Sequence, residues 1–82
     1  MSVSVRPEAQ KQLAGLPKVD RDRLVERLER IGADPYGNHP DAKRLKGTPG
    51  FRVRHGDWRA IYRIDGAGDV IVIEVKHRRE AY

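Results

Sequence analysis

The sequence predicts a single α+β domain: a short N-terminal strand, then a two-helix hairpin packed on one face of a mainly antiparallel sheet of four to five strands. Three observations lead there. Apolar residues recur at helical spacing between Pro7 and Gly32, Pro and Gly crowd residues 33–50, and three β-branched or aromatic runs then follow with turn residues between them. A chain of 82 residues buries only roughly 60% of its unfolded surface and has no room for two cores. One domain, residues 1–82, is therefore expected.

Ser2 to Val5 alternate polar and apolar as a half-buried strand does, and Pro7 suits the first turn of a helix, where its missing N–H leaves no bond unmade. Ala9, Leu13 and Leu16 make the buried stripe of that first helix, and Gly15 and Pro17 end it. A second helix begins near Lys18 with Asp20 and Asp22 in its first turn. Leu24, Val25, Leu28 and Ile31 form its stripe, and Gly32 is expected to close it. The charged residues between those apolar positions read as a solvated face. From Ala33 to Gly50 the density of Pro and Gly marks loop, with room only for a short edge strand over Ala42 to Lys46. Phe51 to His55, Trp58 to Ile64 and Val70 to Lys76 complete an antiparallel meander.

A two-residue turn at Gly56-Asp57 sets the register of the hairpin by counting. His55 faces Trp58, Arg54 faces Arg59, Val53 faces Ala60, Arg52 faces Ile61 and Phe51 faces Tyr62. Because side chains alternate, Phe51, Val53, Trp58, Ala60 and Tyr62 share the core face, which leaves Arg52, Arg54, Arg59, Ile61 and Arg63 on the other. In the last strand, alternation assigns Ile71, Ile73 and Val75 to the core and places Glu74, Lys76 and Arg78 with the arginines. By the same count His77 points to the core side, at a strand end where alternation often frays. Trp58 and Tyr62 are expected to pack in the core rather than stack on bases.

Composition narrows the chemistry. There is no cysteine, so disulfides and thiolate metal sites are excluded, and His39, His55 and His77 lack metal-ligand spacing. No metal or other cofactor is expected. The start lacks the order of a signal peptide and no apolar run approaches the ~20 residues of a membrane span; a soluble, cytoplasmic protein is expected. The net charge is +5 and is unevenly spread. Through Asp41, seven cations meet seven acids; from Lys43 onward, ten cations meet five acids. A basic half of this kind points to a polyanionic partner, most often nucleic acid.

Arginine stays protonated, so it cannot act as a base, but its fork of donors binds phosphate oxygens and neutralises charge that develops in phosphoryl transfer. Proton transfer has to come from other groups, and near the cluster the sequence offers Lys46, His77 and Tyr82. RNA carries its own nucleophile in the 2′-hydroxyl. A protein that holds one phosphodiester in line then needs only positioning, electrostatic stabilisation and modest proton transfer.

The stretch LKGTPGFRVRHGDWRAIYRIDGAGDVIVIEVKHRREAY resembles the C-terminal half of the RelE family of toxin–antitoxin ribonucleases. That family's pattern is L-K-G, a basic-apolar-basic strand, G-D-x-R-x-x-Y, an apolar strand and a basic cluster closing on tyrosine. The preceding helix hairpin extends the resemblance over nearly the whole chain. It implies a RelE-like fold and an endoribonuclease that cuts mRNA in the ribosomal A site, without metal, until a cognate antitoxin wraps it. Carried over by position, it puts Arg52, Arg54, Arg59 and Arg78 on the catalytic face, with Tyr82 near the scissile nucleotide and Lys46 at the edge. Arg52 and Arg54 stand where studied relatives have lysines, so a base role held there would move to His77 or Tyr82, and Tyr82 is preferred over His77, which alternation turns to the core side. Lys43, Arg44, Lys46, Arg63, Lys76 and Arg79 are expected to bind RNA, and no C-terminal helix of the kind some relatives carry is expected after Tyr82. Two alternatives stay open: a gyrase-poisoning toxin of the same fold, and a nucleic-acid-binding module without catalysis.

Overall fold

The computed structural model describes residues 3–79. Its elements are β1 (Val3–Val5), α1 (Pro7–Ala14), α2 (Lys18–Ala33), β2 (Ala42–Arg44), β3 (Phe51–His55), β4 (Trp58–Ile64) and β5 (Val70–His77). Among the described residues the sheet has five strands in the order β1-β5-β4-β3-β2. β2 to β5 form an antiparallel meander, and β1 joins β5 in parallel. Ser2, expected in the first strand, lies outside the described residues, and the edge strand β2 ends at Arg44 rather than Lys46.

Both helices lie against one face of this sheet. Ala9, Leu16, Leu24, Leu28 and Ile31 close over Val53, Ala60, Tyr62, Val70, Val72 and Val75. Each large aliphatic side chain buried this way contributes about 1.5–3 kcal/mol. Pro7 opens α1 and Gly15 caps it, as its residues suggest. Gly32 has a different role from the one its sequence position implies: α2 runs one residue past it, and Gly32 is buried against β1. A Cβ built on Gly32 would run into Cγ2 of Val3, so the missing side chain is what lets helix and strand approach.

The hairpin of β3 and β4 has the counted register, pair for pair, from His55 opposite Trp58 to Phe51 opposite Tyr62. Gly56 makes the turn with φ +57, a conformation glycine adopts without a Cβ penalty. β5 departs from simple alternation. Ile61 pairs with Glu74 but its neighbour Tyr62 pairs with Val72, so Ile73 is an extra residue in a β-bulge. The bulge swaps the expected faces on one side of it: Val70 and Val72 are buried, whereas Ile71 pairs with Arg63 on the open face. Beyond it Val75 is buried as expected. β1 ends at Val5, and further along β5 the Val75 amide donates to Oε1 of Gln12 in α1 at 2.7 Å. A helix side chain thus supplies an acceptor next to the irregularity.

Replacing Gly32 with Ala should destabilise the domain by about 1–3 kcal/mol, because the stiff Val3 side chain and its strand must give way. Urea titration checks this, as a lower midpoint with an unchanged slope.

Candidate nucleic-acid interface

The face away from the helices is organised in rows that cross the strands. One row holds Arg54 of β3, Arg59 of β4 and Lys76 of β5. The next holds Lys43 of β2, then Arg52, Ile61 and Glu74. Directly opposed side chains stand about 4.5–5.5 Å apart at Cβ, and like charges so placed destabilise a sheet. Arg59, in the central strand, is only 6% exposed, whereas Arg54 beside it is exposed. Lys76 is balanced by Glu74, Nζ to Oε1 2.9 Å. Arg78 follows β5 directly. Its amide donates to the Asp57 carbonyl at 2.7 Å and its Nε lies 3.5 Å from Asp57 Oδ1, which holds it beside the hairpin turn at the same end of the sheet as Arg54 and Arg59.

Residues remote in sequence fix Arg54. Its amide donates to the carbonyl of Asp41, and its own carbonyl accepts from Nη1 of Arg27 in α2 at 3.0 Å. Arg27 is in turn ion-paired with the Asp41 carboxylate. His55 ties the end of β3 to α2, Nε2 to Asp20 Oδ1 3.3 Å. In the sequence Arg27 and Asp41 look like ordinary surface charges; nothing local marks them as supports, because their contacts cross the fold. Beside this corner Pro40, Asp41, Lys43, Arg52 and Arg54 line a cleft of about 210 Å³. A smaller cavity of about 50 Å³ lies under the loop before β2, against Arg27, Ile31 and His39, and has space for little more than water.

The other candidates fall elsewhere. His77 pairs with Trp58 on the helix side, its ring edge-on to the indole at 5.0 Å, so it does not join the arginine row. Lys46 is not at the edge of the row: it sits in the loop before Gly50, at the end of β3 opposite to the Gly56 turn. Arg44 is in register with Phe51 and so projects to the helix side of the edge strand, while Arg63 is on the open face but four residues along β4 from Arg59, roughly 13 Å away. Arg79 is exposed in the turn after β5. Tyr82 lies outside the described residues. Tyr62 stacks on Phe51 at 5.2 Å, and burial pushes its phenol above the ordinary value, so it stays neutral as a packing residue. Among the described residues no cluster of His, Asp or Glu is arranged to hold a metal ion, and no helix is long and apolar enough to cross a membrane.

A two-helix layer on an open, mixed five-stranded sheet is the architecture of RelE toxins. The RelB–RelE antitoxin–toxin complex of Methanococcus jannaschii has a chain that matches with a TM-score of 0.80 at 25% identity, covering 96% of this chain and 94% of that one. The RelBE2 toxin–antitoxin complex of Mycobacterium tuberculosis has one with a TM-score of 0.76 at 27% identity, covering 94% and 96%. The isolated RelE toxin of E. coli shares the fold, with a TM-score of 0.78 at 20% identity over 96% and 92%. A search of curated protein sequences finds no match. The family model of the ParE toxin of type II toxin–antitoxin systems matches residues 3–82, and the chain belongs to that family.

Like charges directly opposed across a sheet disfavour it. Arg54→Gln should raise stability by about 0.2–1 kcal/mol at low salt, with the gain shrinking as salt screens the charges; thermal melts at two ionic strengths check both parts.

Proposed function

We propose that this toxin is an endoribonuclease that holds one phosphodiester of mRNA, in the ribosomal A site, over the row of Arg54 and Arg59, and cleaves it by attack of the neighbouring 2′-hydroxyl. The observation that carries this reading is the direct opposition of Arg54 and Arg59 beside Arg78 on a face the helices leave open. An anion lying between them relieves that repulsion, and a phosphate accepting from two guanidinium forks suits the place. As the 2′-oxygen attacks, negative charge grows on the phosphoryl oxygens, and cations fixed in place, Arg59 among them nearly buried, stabilise that charge more than the ground state. Arg59, held deep in the central strand, is the residue assigned to this role. Arg54 and Arg52 orient the backbone, and Arg78 faces the leaving side. Lys43, Lys76 and Arg79 bind flanking phosphates. His77, turned toward Trp58, drops out as acid or base, and proton transfer is assigned to Tyr82. The partner that silences the toxin is a cognate antitoxin, as in the complexes of its structural relatives. A cytoplasmic place of action goes with the substrate.

A second reading has its own support. The matching family is named for ParE, and ParE-type toxins are not ribonucleases, so poisoning of DNA gyrase is the competing activity. The two are separated by giving the purified toxin programmed ribosomes in one tube and gyrase with relaxed plasmid in another. Cut mRNA ends and undisturbed supercoiling are expected; arrested gyrase with intact mRNA would overturn the ribonuclease reading. Arg59→Ala should lower the cleavage rate about 10²–10³-fold, the usual loss when one stabilising group is removed. Tyr82→Phe should slow cleavage without weakening RNA binding, whereas His77→Ala should reduce stability and leave the rate near that of the parent. Primer extension across the cut site measures the first two, and a urea melt run alongside separates the third.

A further inference from the structure

At the end of the sheet far from the Gly56 turn, Tyr36, Arg44, Pro49, Gly50, Phe51, Arg63 and Ile64 line a cleft of about 330 Å³. Its composition is unlike that of an ordinary wet surface. Tyr36 is 77% exposed, a large aromatic on a loop that contributes little to the core. Phe51 presents a ring already fixed in place by its stack on Tyr62. Arg44 and Arg63 approach from opposite faces of the sheet, both exposed, and neither has an ion-pair partner among the described residues. Gly50 has φ +126, and a Cβ there would crowd the Tyr62 carbonyl at 3.1 Å and Arg63 Cγ at 3.4 Å. The missing side chain lets the loop pack close against β4 and sets the wall of the cleft.

Aromatic faces beside guanidinium groups form a stacking platform with an anion clamp, the combination that binds unpaired nucleotides without reading sequence. The place fits as well. Arg63 is on the same strand and the same face as Arg59, roughly 13 Å along it, and the Lys43–Arg52 pair bridges the interval on the β2 side. We propose that this cleft is a second nucleotide subsite, in which Tyr36 stacks on an unpaired base of the same RNA strand while Arg44 and Arg63 hold its phosphates, a few nucleotides from the cut. The inference rests on the ribonuclease reading and adds an anchor that sets where along the strand the scissile bond falls. Tyr36 and Arg44 act on binding and register, remote from the reacting atoms.

The test uses the toxin free of antitoxin and two uncleavable 2′-O-methyl RNA strands, a short one that spans only the Arg54–Arg59 row and a longer one that also reaches the cleft. Tyr36→Ala should weaken binding of the longer strand about tenfold, leave the shorter one unchanged, and be rescued by Tyr36→Phe, which keeps the ring. Arg44→Ala should lower the salt dependence of long-strand binding by about one unit of slope. With cleavable mRNA on programmed ribosomes, Tyr36→Ala should raise KM and spare kcat. If the parent cuts RNA and the Tyr36 and Arg44 variants bind the longer strand as tightly as it does, the subsite is refuted and the ribonuclease reading survives. If Tyr36→Ala instead loses only antitoxin affinity, the cleft is a protein-docking surface and the proposal is wrong. A parent that neither binds the strands nor cuts mRNA on programmed ribosomes removes both readings together.

Discussion

Everything on the cationic face depends on one constraint, the register of the β3–β4 hairpin. A sheet has a side-chain period of two, so a slip of a single residue would carry Phe51, Val53, Ala60 and Tyr62 to water and drive Arg52, Arg54 and Arg59 into the helices. The burial of Val53, Ala60 and Tyr62 and the backbone geometry of Gly56 specify the same alignment independently. Hydrophobic burial therefore positions the arginines. The core holds them together against their own repulsion, and the site is the side of the hairpin that the core did not take.

The helix layer takes part in this as well as covering it. Arg27 reaches from α2 to the carbonyl of Arg54 and to Asp41, and Asp41 accepts the Arg54 amide, so the peptide units on both sides of a key cation are tied down. His55 and Asp20 add a second tie between α2 and the hairpin. For the proposed ribonuclease, rigid support of this kind matters because charges already in place need no rearrangement as the transition state forms.

Much of this was legible in the residues, and the exceptions have physical causes. The hairpin could be counted because Gly56-Asp57 fixes its turn and because apolar and basic residues alternate through FRVRH and, apart from Ile61, through WRAIYRI. The run VIVIEV offers no such contrast: it is apolar on both parities until Glu74, so periodicity cannot tell which set is buried, and the bulge at Ile73 decides it. Gly32 has the local look of a helix terminator, but its packing partner is Val3, a contact no local pattern reveals. Lys46 lies among Gly, Thr and Pro, where there is no period by which to place it. Arg59 belongs to a residue type found mostly in water, and its depth comes from occupying the middle strand with a neighbour on each side. The Tyr36 cleft is invisible in sequence for a related reason, since a loop, a strand edge and a strand end build it jointly.

The strand order carries a consequence for how the protein is made. Among the described residues β1 has its sheet neighbour in β5, the strand farthest from it along the chain, which also carries Lys76 and leads into Arg78. Such pairing between distant segments forms late, since chain entropy opposes it until both partners are present. During synthesis the emerging polypeptide thus has neither a closed sheet nor an assembled cation row. The row is complete only once β5 has joined the sheet, because Lys76 and Arg78 arrive with that strand.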